Sequence, residues 1–234
     1  MKRSVMKWYI FLCLTLFIQQ RLSAQDDRYA TGYMSAVSNH AVLFSGNRQQ
    51  PLKVHTLNHQ YFKDEDFVTG RLSYGGVVYP EVWLRWDLYK DELMILSPVN
   101  YSIVLQNDHI DFAELHGYRI FYLHSDGLPG CPPAGNYILL FSGNHLLIEK
   151  LINELNLKDN IGSEAYYFIL STRFYLQKNG VYHKIKSRRT LLKALDTHRK
   201  ELRQFIRANR LEYKRDAETM VLEIVKKHEH LSRQ

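Results

Sequence analysis

Val82-Trp83-Leu84-Arg85-Trp86-Asp87-Leu88 is the stretch that decides the fold class. Val82, Leu84, Trp86 and Leu88 fall on one side and Trp83, Arg85 and Asp87 on the other, which is the period of two of a half-buried strand. Working outward, residues 67–74 precede it across Gly75-Gly76, a pair suited to the positive φ angles of a two-residue hairpin turn. Residues 93–96 return after Tyr89-Lys90-Asp91-Glu92. Further strands are predicted over 102–105, 110–115, 118–124 and 137–141, with Asn107-Asp108 turning the first two of these into a pair. Residues 174–176 and 181–185 flank Asn179-Gly180, a strong hairpin signal. Residues 145–155 fit either a strand or a helix; a strand through Ile152, followed by a short irregular link, is the preferred reading. Leu43-Phe44-Ser45-Gly46-Asn47 recurs as Leu140-Phe141-Ser142-Gly143-Asn144, which predicts one strand-ending turn used twice.

After Ser187 the period changes. Leu191, Leu192 and Leu195 predict a short helix, and Asp196 is placed to cap a second, with Leu202, Phe205 and Ile206 buried and Asn209 at its end. Asp216 is placed to cap a third, whose inner side carries Ala217, Met220, Val221 and Ile224. The fold class expected is therefore α+β. Residues 25–187 form an antiparallel sheet or partly open barrel, and residues 188–234 a helical subdomain packed on it.

The 234 residues carry a formal charge of +7, with 45% apolar and 13% aromatic residues, a composition of a folded chain. Residues 1–24 read as a cleaved export signal: a cationic start, an apolar run over 8–18 and Leu22-Ser23-Ala24 at the cleavage site. Four of the cations, Lys2, Arg3, Lys7 and Arg21, lie there. The run is too short to span a bilayer, so the expectation is an exported, periplasmic or extracellular protein with no transmembrane span. Cleavage would also remove Cys13 and leave Cys131 without an intramolecular disulfide partner. Of the remaining charge, residues 25–182 hold 12 cations against 17 acids, and residues 183–234 hold 15 against 7. An acidic body carries a basic tail.

Familiar catalytic and cofactor motifs are missing. There is no Gly-x-x-x-x-Gly-Lys-Ser/Thr, no Gly-x-Gly-x-x-Gly and no Gly-x-Ser-x-Gly, so no cofactor is expected. His55 and His59 are four apart on an extended segment, where they would stand about 13 Å apart, too far for one metal ion. Cys131 lies in a Pro- and Gly-rich loop with no evident base. Three residues of the central strand are candidates for binding: Trp83 as an exposed aromatic platform, and Arg85 and Asp87 as a charged pair. Arg199, Arg203 and Arg207, at helical spacing, are candidates for a polyanion such as an acidic glycan or lipid headgroup. Export makes nucleic acid a poor partner.

Gly70-Arg71-Leu72-Ser73-Tyr74, Tyr79, Leu84-Arg85-Trp86-Asp87 and Asp91-Glu92-Leu93, with Lys184-Ile185-Lys186-Ser187 and Arg207-Ala208-Asn209-Arg210-Leu211 in the tail, resemble a family of uncharacterised secreted proteins of Gram-negative bacteria. Trp86 stands where that family usually has Tyr. The resemblance implies secretion and a shared fold and transfers no catalytic residue. The functional expectation is a non-enzymatic envelope protein that binds a protein, glycan or lipid, in particular an amphiphile carrier. The alternative is a glycan- or peptide-directed hydrolase using carboxylates that include Asp87.

Overall fold

A computed structural model describes residues 42–125, 127, 130–158 and 165–233; residues 1–24, expected to be an export signal, lie outside them. Val42–Ser45 belongs to a first unit and contains one short helical turn, closed by Ser45 N–H donating to the Val42 carbonyl. The first copy of the repeated pentapeptide therefore begins in a helical turn, whereas the second ends a strand. Five identical residues take two conformations, so the single-turn expectation fails: local preference at Ser-Gly-Asn is weak beside the flanking structure.

From Gly46 onward the chain builds a ten-stranded antiparallel sheet. Its strands are β1 (Val68–Tyr74), β2 (Val77–Asp87), β3 (Glu92–Leu96), β4 (Ser102–Val104), β5 (Ile110–Leu115), β6 (Tyr118–Leu123), β7 (Gly135–Ser142), β8 (Leu146–Lys158), β9 (Ala165–Lys178) and β10 (Val181–Ile185). The order is β10-β9-β8-β7-β6-β5-β1-β2-β3-β4, so the sheet stays open with β10 and β4 as its edges. Two meanders meet where β1 pairs β5. Asn107–His109 forms a 3-10 turn that carries the chain from the β4 edge into the interior of the sheet, because β4 pairs β3 and β5 pairs β1 and β6. Asn107-Asp108 thus does not turn a paired hairpin.

Turn chemistry sets the registers. Gly75 (φ 59°) and Gly76 (φ 76°) close β1 to β2 with Tyr74 opposite Val77, and Asn179 (φ 52°) and Gly180 (φ 76°) close β9 to β10 with Lys178 opposite Val181. β8 and β9 pair without interruption from Leu146–Gln177 to Lys158–Ala165. The strand reading of 145–155 holds, and the irregular link expected after Ile152 is regular hairpin instead.

Three helices follow: α1 (Arg188–Leu195), α2 (Arg199–Ala208) and α3 (Ala217–Leu231). Ser187 and Thr190 form a reciprocal capping box at the start of α1, and Asp216 caps α3 through the Thr219 N–H at 2.9 Å. Asp196 departs from expectation. It terminates α1 with φ 68°, while His198 occupies the N-cap of α2 without a side-chain cap bond. Only Thr197 lies between the two caps, and the Asp196 carboxylate pairs with the Arg199 side chain at 3.0 Å.

Alternation along β8 and β9 creates two faces. Leu147, Phe174 and Leu176 meet Ile185 and the helices' Leu191, Leu195, Leu202, Ile206, Val221 and Ile224 in one apolar core. On the other face Ile148 packs with Tyr137, Tyr175 and Tyr182, with half-buried Cys131 at the margin. Among the described residues no helix is long and apolar enough to cross a membrane.

Candidate functional site

The sheet curls until the end of β2 reaches β8. Asn153 N–H donates to the Leu88 carbonyl, and the β2–β3 turn residue Asp91 is held by Lys150 Nζ and by Asn136 N–H. Gly135, before Asn136, fits only because it has no Cβ: one would sit 2.5 Å from Lys150 Nζ. An irregular strap, residues 55–62, spans the opening between β9 and β2. β10 is five residues long and leaves the outer half of β9 without a strand neighbour on the side away from β8. The strap supplies one: Leu57 N–H donates to the Tyr166 carbonyl, Tyr166 N–H to the His55 carbonyl, and the Asn58 side chain both donates to and accepts from the Phe168 backbone. At its other end Leu88 N–H donates to the Gln60 carbonyl and Phe62 N–H to the Trp86 carbonyl. The backbone polar groups of two sheet margins are thereby satisfied by one loop.

Beneath the strap lies a pocket of about 440 Å³. Ile138, Leu151, Leu170 and Thr172 form its floor; Phe62, Leu88 and Tyr118 stand at the sides; Glu218, in the first turn of α3, closes one end. Glu149 rises from the floor and is 3% exposed. Its Oε2 has no protein hydrogen-bond partner. An unpaired buried carboxylate is costly, so the group holds its proton instead. Burial, assisted by the Glu218 charge, pushes Glu149 up to about 8. Tyr118 donates to Glu218 at 3.4 Å, and Lys63 Nζ lies 4.3 Å from the centre of the Tyr118 ring. The site thus combines apolar side chains with polar ones, Asn58, His59, Lys63, Asn153 and Glu218 among them, and holds one buried, unsatisfied hydrogen-bonding group on Glu149.

On the other side of the strap is a second, polar groove of about 780 Å³. Asn58, His59 and Tyr61 line both spaces, so the strap is the wall between them.

Trp83 is 55% exposed on the outer side of β2, as its alternation requires. Trp86, fully buried, packs on Phe62 with ring centres 5.5 Å apart. Arg85 and Asp87 share a strand face and make no direct pair. Arg85 donates to the Glu65 carbonyl and to Gln49 Oε1, and lies between the Tyr61 and Phe67 rings at 4.0 and 4.1 Å. Asp87 is fully buried and accepts from the Tyr89 and Lys90 N–H groups and from Gln60 Nε2. Its oxygens hold the β2–β3 turn and the strap, which leaves none facing an open cleft. Arg199, Arg203 and Arg207 are exposed on α2, at the helical end of the fold, and the structure does not bring them to Trp83. His59 accepts from Tyr61 N–H at 3.3 Å, and among the described residues no cluster of three or more His, Cys, Asp or Glu side chains is arranged to hold a metal ion.

Sequence reasoning missed Glu149, Glu218 and the strap. One signal for Glu149 was available: a lone acid within Leu146-Leu147-Ile148-Glu149, on the apolar side of a predicted strand. No protein-family model, curated protein or solved structure matches the chain.

Proposed function

We propose that the protein is an exported envelope protein of the secreted family its motifs resemble, and that it binds a small amphiphile beneath the strap. The observation that carries this reading is Glu149: a neutral, buried carboxyl with an unmatched oxygen, beside Ile138, Leu151 and Leu170 on the floor of a pocket. A ligand with a hydroxyl, ester or amide at the right depth satisfies that group, and its hydrocarbon part covers Ile138, Leu151 and Leu170. The volume lies within the range of small-ligand sites. Leu170 is 55% exposed without a ligand, a large apolar side chain that binding would cover.

Native mass spectrometry of the protein purified from its own host tests this directly. Retained lipid-like mass is the expected result, and Leu170→Gln should abolish it. Protein that emerges without added mass and takes up no decyl-chain amphiphile in titration would overturn the reading.

The hydrolase alternative gains one observation. Glu149 and Glu218 lie in the same pocket, the first protonated near neutrality, so an acid–base pair would be built from these two and not from Asp87. Loss of hydrolysis of a lipid ester in Glu149→Gln, with amphiphile binding retained, would favour it.

A further inference from the structure

Arg85 is a half-buried cation whose hydrogen bonds go to neutral groups, with the Asp87, Glu65 and Asp66 charges acting on it from further away. Its Nη1 donates to the Glu65 carbonyl at 2.8 Å and its Nη2 to Gln49 Oε1 at 3.0 Å and Ser102 Oγ at 3.5 Å, while its Nε has no protein partner. No carboxylate among the described residues forms an ion pair with it. The residues that fix it, Gln49, Tyr61, Glu65 and Ser102, line the 780 Å³ groove. Arg48, exposed in the same groove, places its guanidinium 3.7 Å from the centre of the Tyr101 ring, also without an acidic partner. Glu65 is the single carboxylate that lines the groove. Arg48, an exposed guanidinium stacked on one aromatic face, is suited to a phosphate or carboxylate, because a planar fork held in this way loses little freedom on binding; Arg85 stands behind the groove lining and holds Gln49, Ser102 and the Glu65 carbonyl in place.

The groove and the Glu149 pocket share one wall, formed by Asn58, His59 and Tyr61. We propose that the two spaces are two ends of one site, and that its ligand is an anionic amphiphile, with the apolar part beneath the strap and the phosphate or carboxylate head on Arg48. This rests on the amphiphile reading and adds to it the charge of the head and the residue that selects it.

Calorimetric titration at pH 7 with decyl phosphate, decyltrimethylammonium and glycerol 1-phosphate separates the possibilities. Decyl phosphate should bind at least tenfold more tightly than decyltrimethylammonium, and the difference should shrink as salt is raised from 50 to 500 mM. Arg48→Gln, at an exposed position where folding is not at risk, should weaken decyl phosphate alone by about fivefold to tenfold. Equal affinity for the two decyl compounds, or no effect of Arg48→Gln, overturns the head assignment while leaving tail binding intact. Glycerol 1-phosphate binding as tightly as decyl phosphate shows a separate anion site and overturns the joined one. Failure of both decyl compounds to bind removes the amphiphile reading itself.

Discussion

Glu149 and Lys150 are adjacent in sequence and opposite in charge, yet β8 sends them to opposite faces where they meet different fates. Lys150 finds Asp91 and the Asn136 carbonyl, with its Nζ 4.9 Å from the centre of the Tyr137 ring. Burial lowers its affinity for a proton, and the Asp91 charge and hydrogen bond oppose that in part. Glu149 finds no cation; its face holds Ile138, Phe174 and Leu151, and it becomes neutral. The lesson is that burial of a charged residue has two stable outcomes. A partner makes it structure; the lack of one makes it chemistry.

The largest effect should come from the paired side. Lys150→Met keeps the apolar stem and removes the charge, leaving Asp91 and the Asn136 carbonyl inside the curl without their donor. The expected loss is about 3 kcal/mol, below the top of the range for buried pairs because Asp91 is 27% exposed. Urea denaturation measures it. The double variant Lys150→Met/Asp91→Leu should recover part of the loss; if the single variant costs less than about 1 kcal/mol, the curl is held by something else.

The unpaired side should respond to pH, losing stability as pH rises from about 4.5 through 8. Glu149 has a folded value of about 8 against an ordinary 4.5, so the folded state binds its proton more tightly than the unfolded one. Its contribution to stability is whole below pH 4.5 and is lost as pH rises through 8. Glu149→Gln mimics the protonated form. It should leave stability unchanged at pH 5 and raise it by about 2 kcal/mol at pH 9, read as a shift of a few degrees in melting temperature. Parallel pH profiles for the two proteins would place Glu149 in contact with a counter-charge.

Much of this arrangement was legible before the fold was known. The strand 82–88, the Gly75-Gly76 and Asn179-Gly180 hairpins and the Asp216 cap rest on contacts within a few residues, and alternation alone put Trp86 inside and Trp83 outside. Residues 165–173 were not read as strand. Tyr166-Tyr167-Phe168-Ile169-Leu170 is apolar throughout, so no period shows, and its order comes from β8 on one side and the strap on the other. The strap has no period either; its hydrogen bonds go to Trp86, Leu88, Tyr166 and Phe168, and a sequence window cannot contain partners a hundred residues away. Glu149 and Lys150 could be placed on opposite faces from sequence, but only the fold shows that Asp91 reaches one and nothing reaches the other.

A third pair of titrating groups sharpens the contrast, with the smallest effect. His145, just before β8, and His228 on α3 face each other at 3.2 Å, and His228 also bonds Thr197 Oγ1 at 2.8 Å. Burial is the first cause that lowers both; for His228 the His145, Lys178 and His198 charges add to it and Glu229 opposes, bringing it to about 4. Here the unfolded state binds protons more tightly, so the stability is whole above pH 6.5 and is lost as pH falls toward 4. The helical cover should therefore loosen in acid while the Glu149 pocket loosens in base. His228→Gln, which keeps a hydrogen-bonding group against Thr197 and cannot charge, should remove about 1 kcal/mol of the decline between pH 6.5 and 4.5 without altering the decline above pH 7. Amide exchange on α3 resolves where the opening occurs. Faster exchange in α3 than in β1 and β2 at pH 4.5, abolished by His228→Gln, is the expected pattern; uniform exchange across the sheet and helices would mean that the acid transition does not begin at the histidine pair.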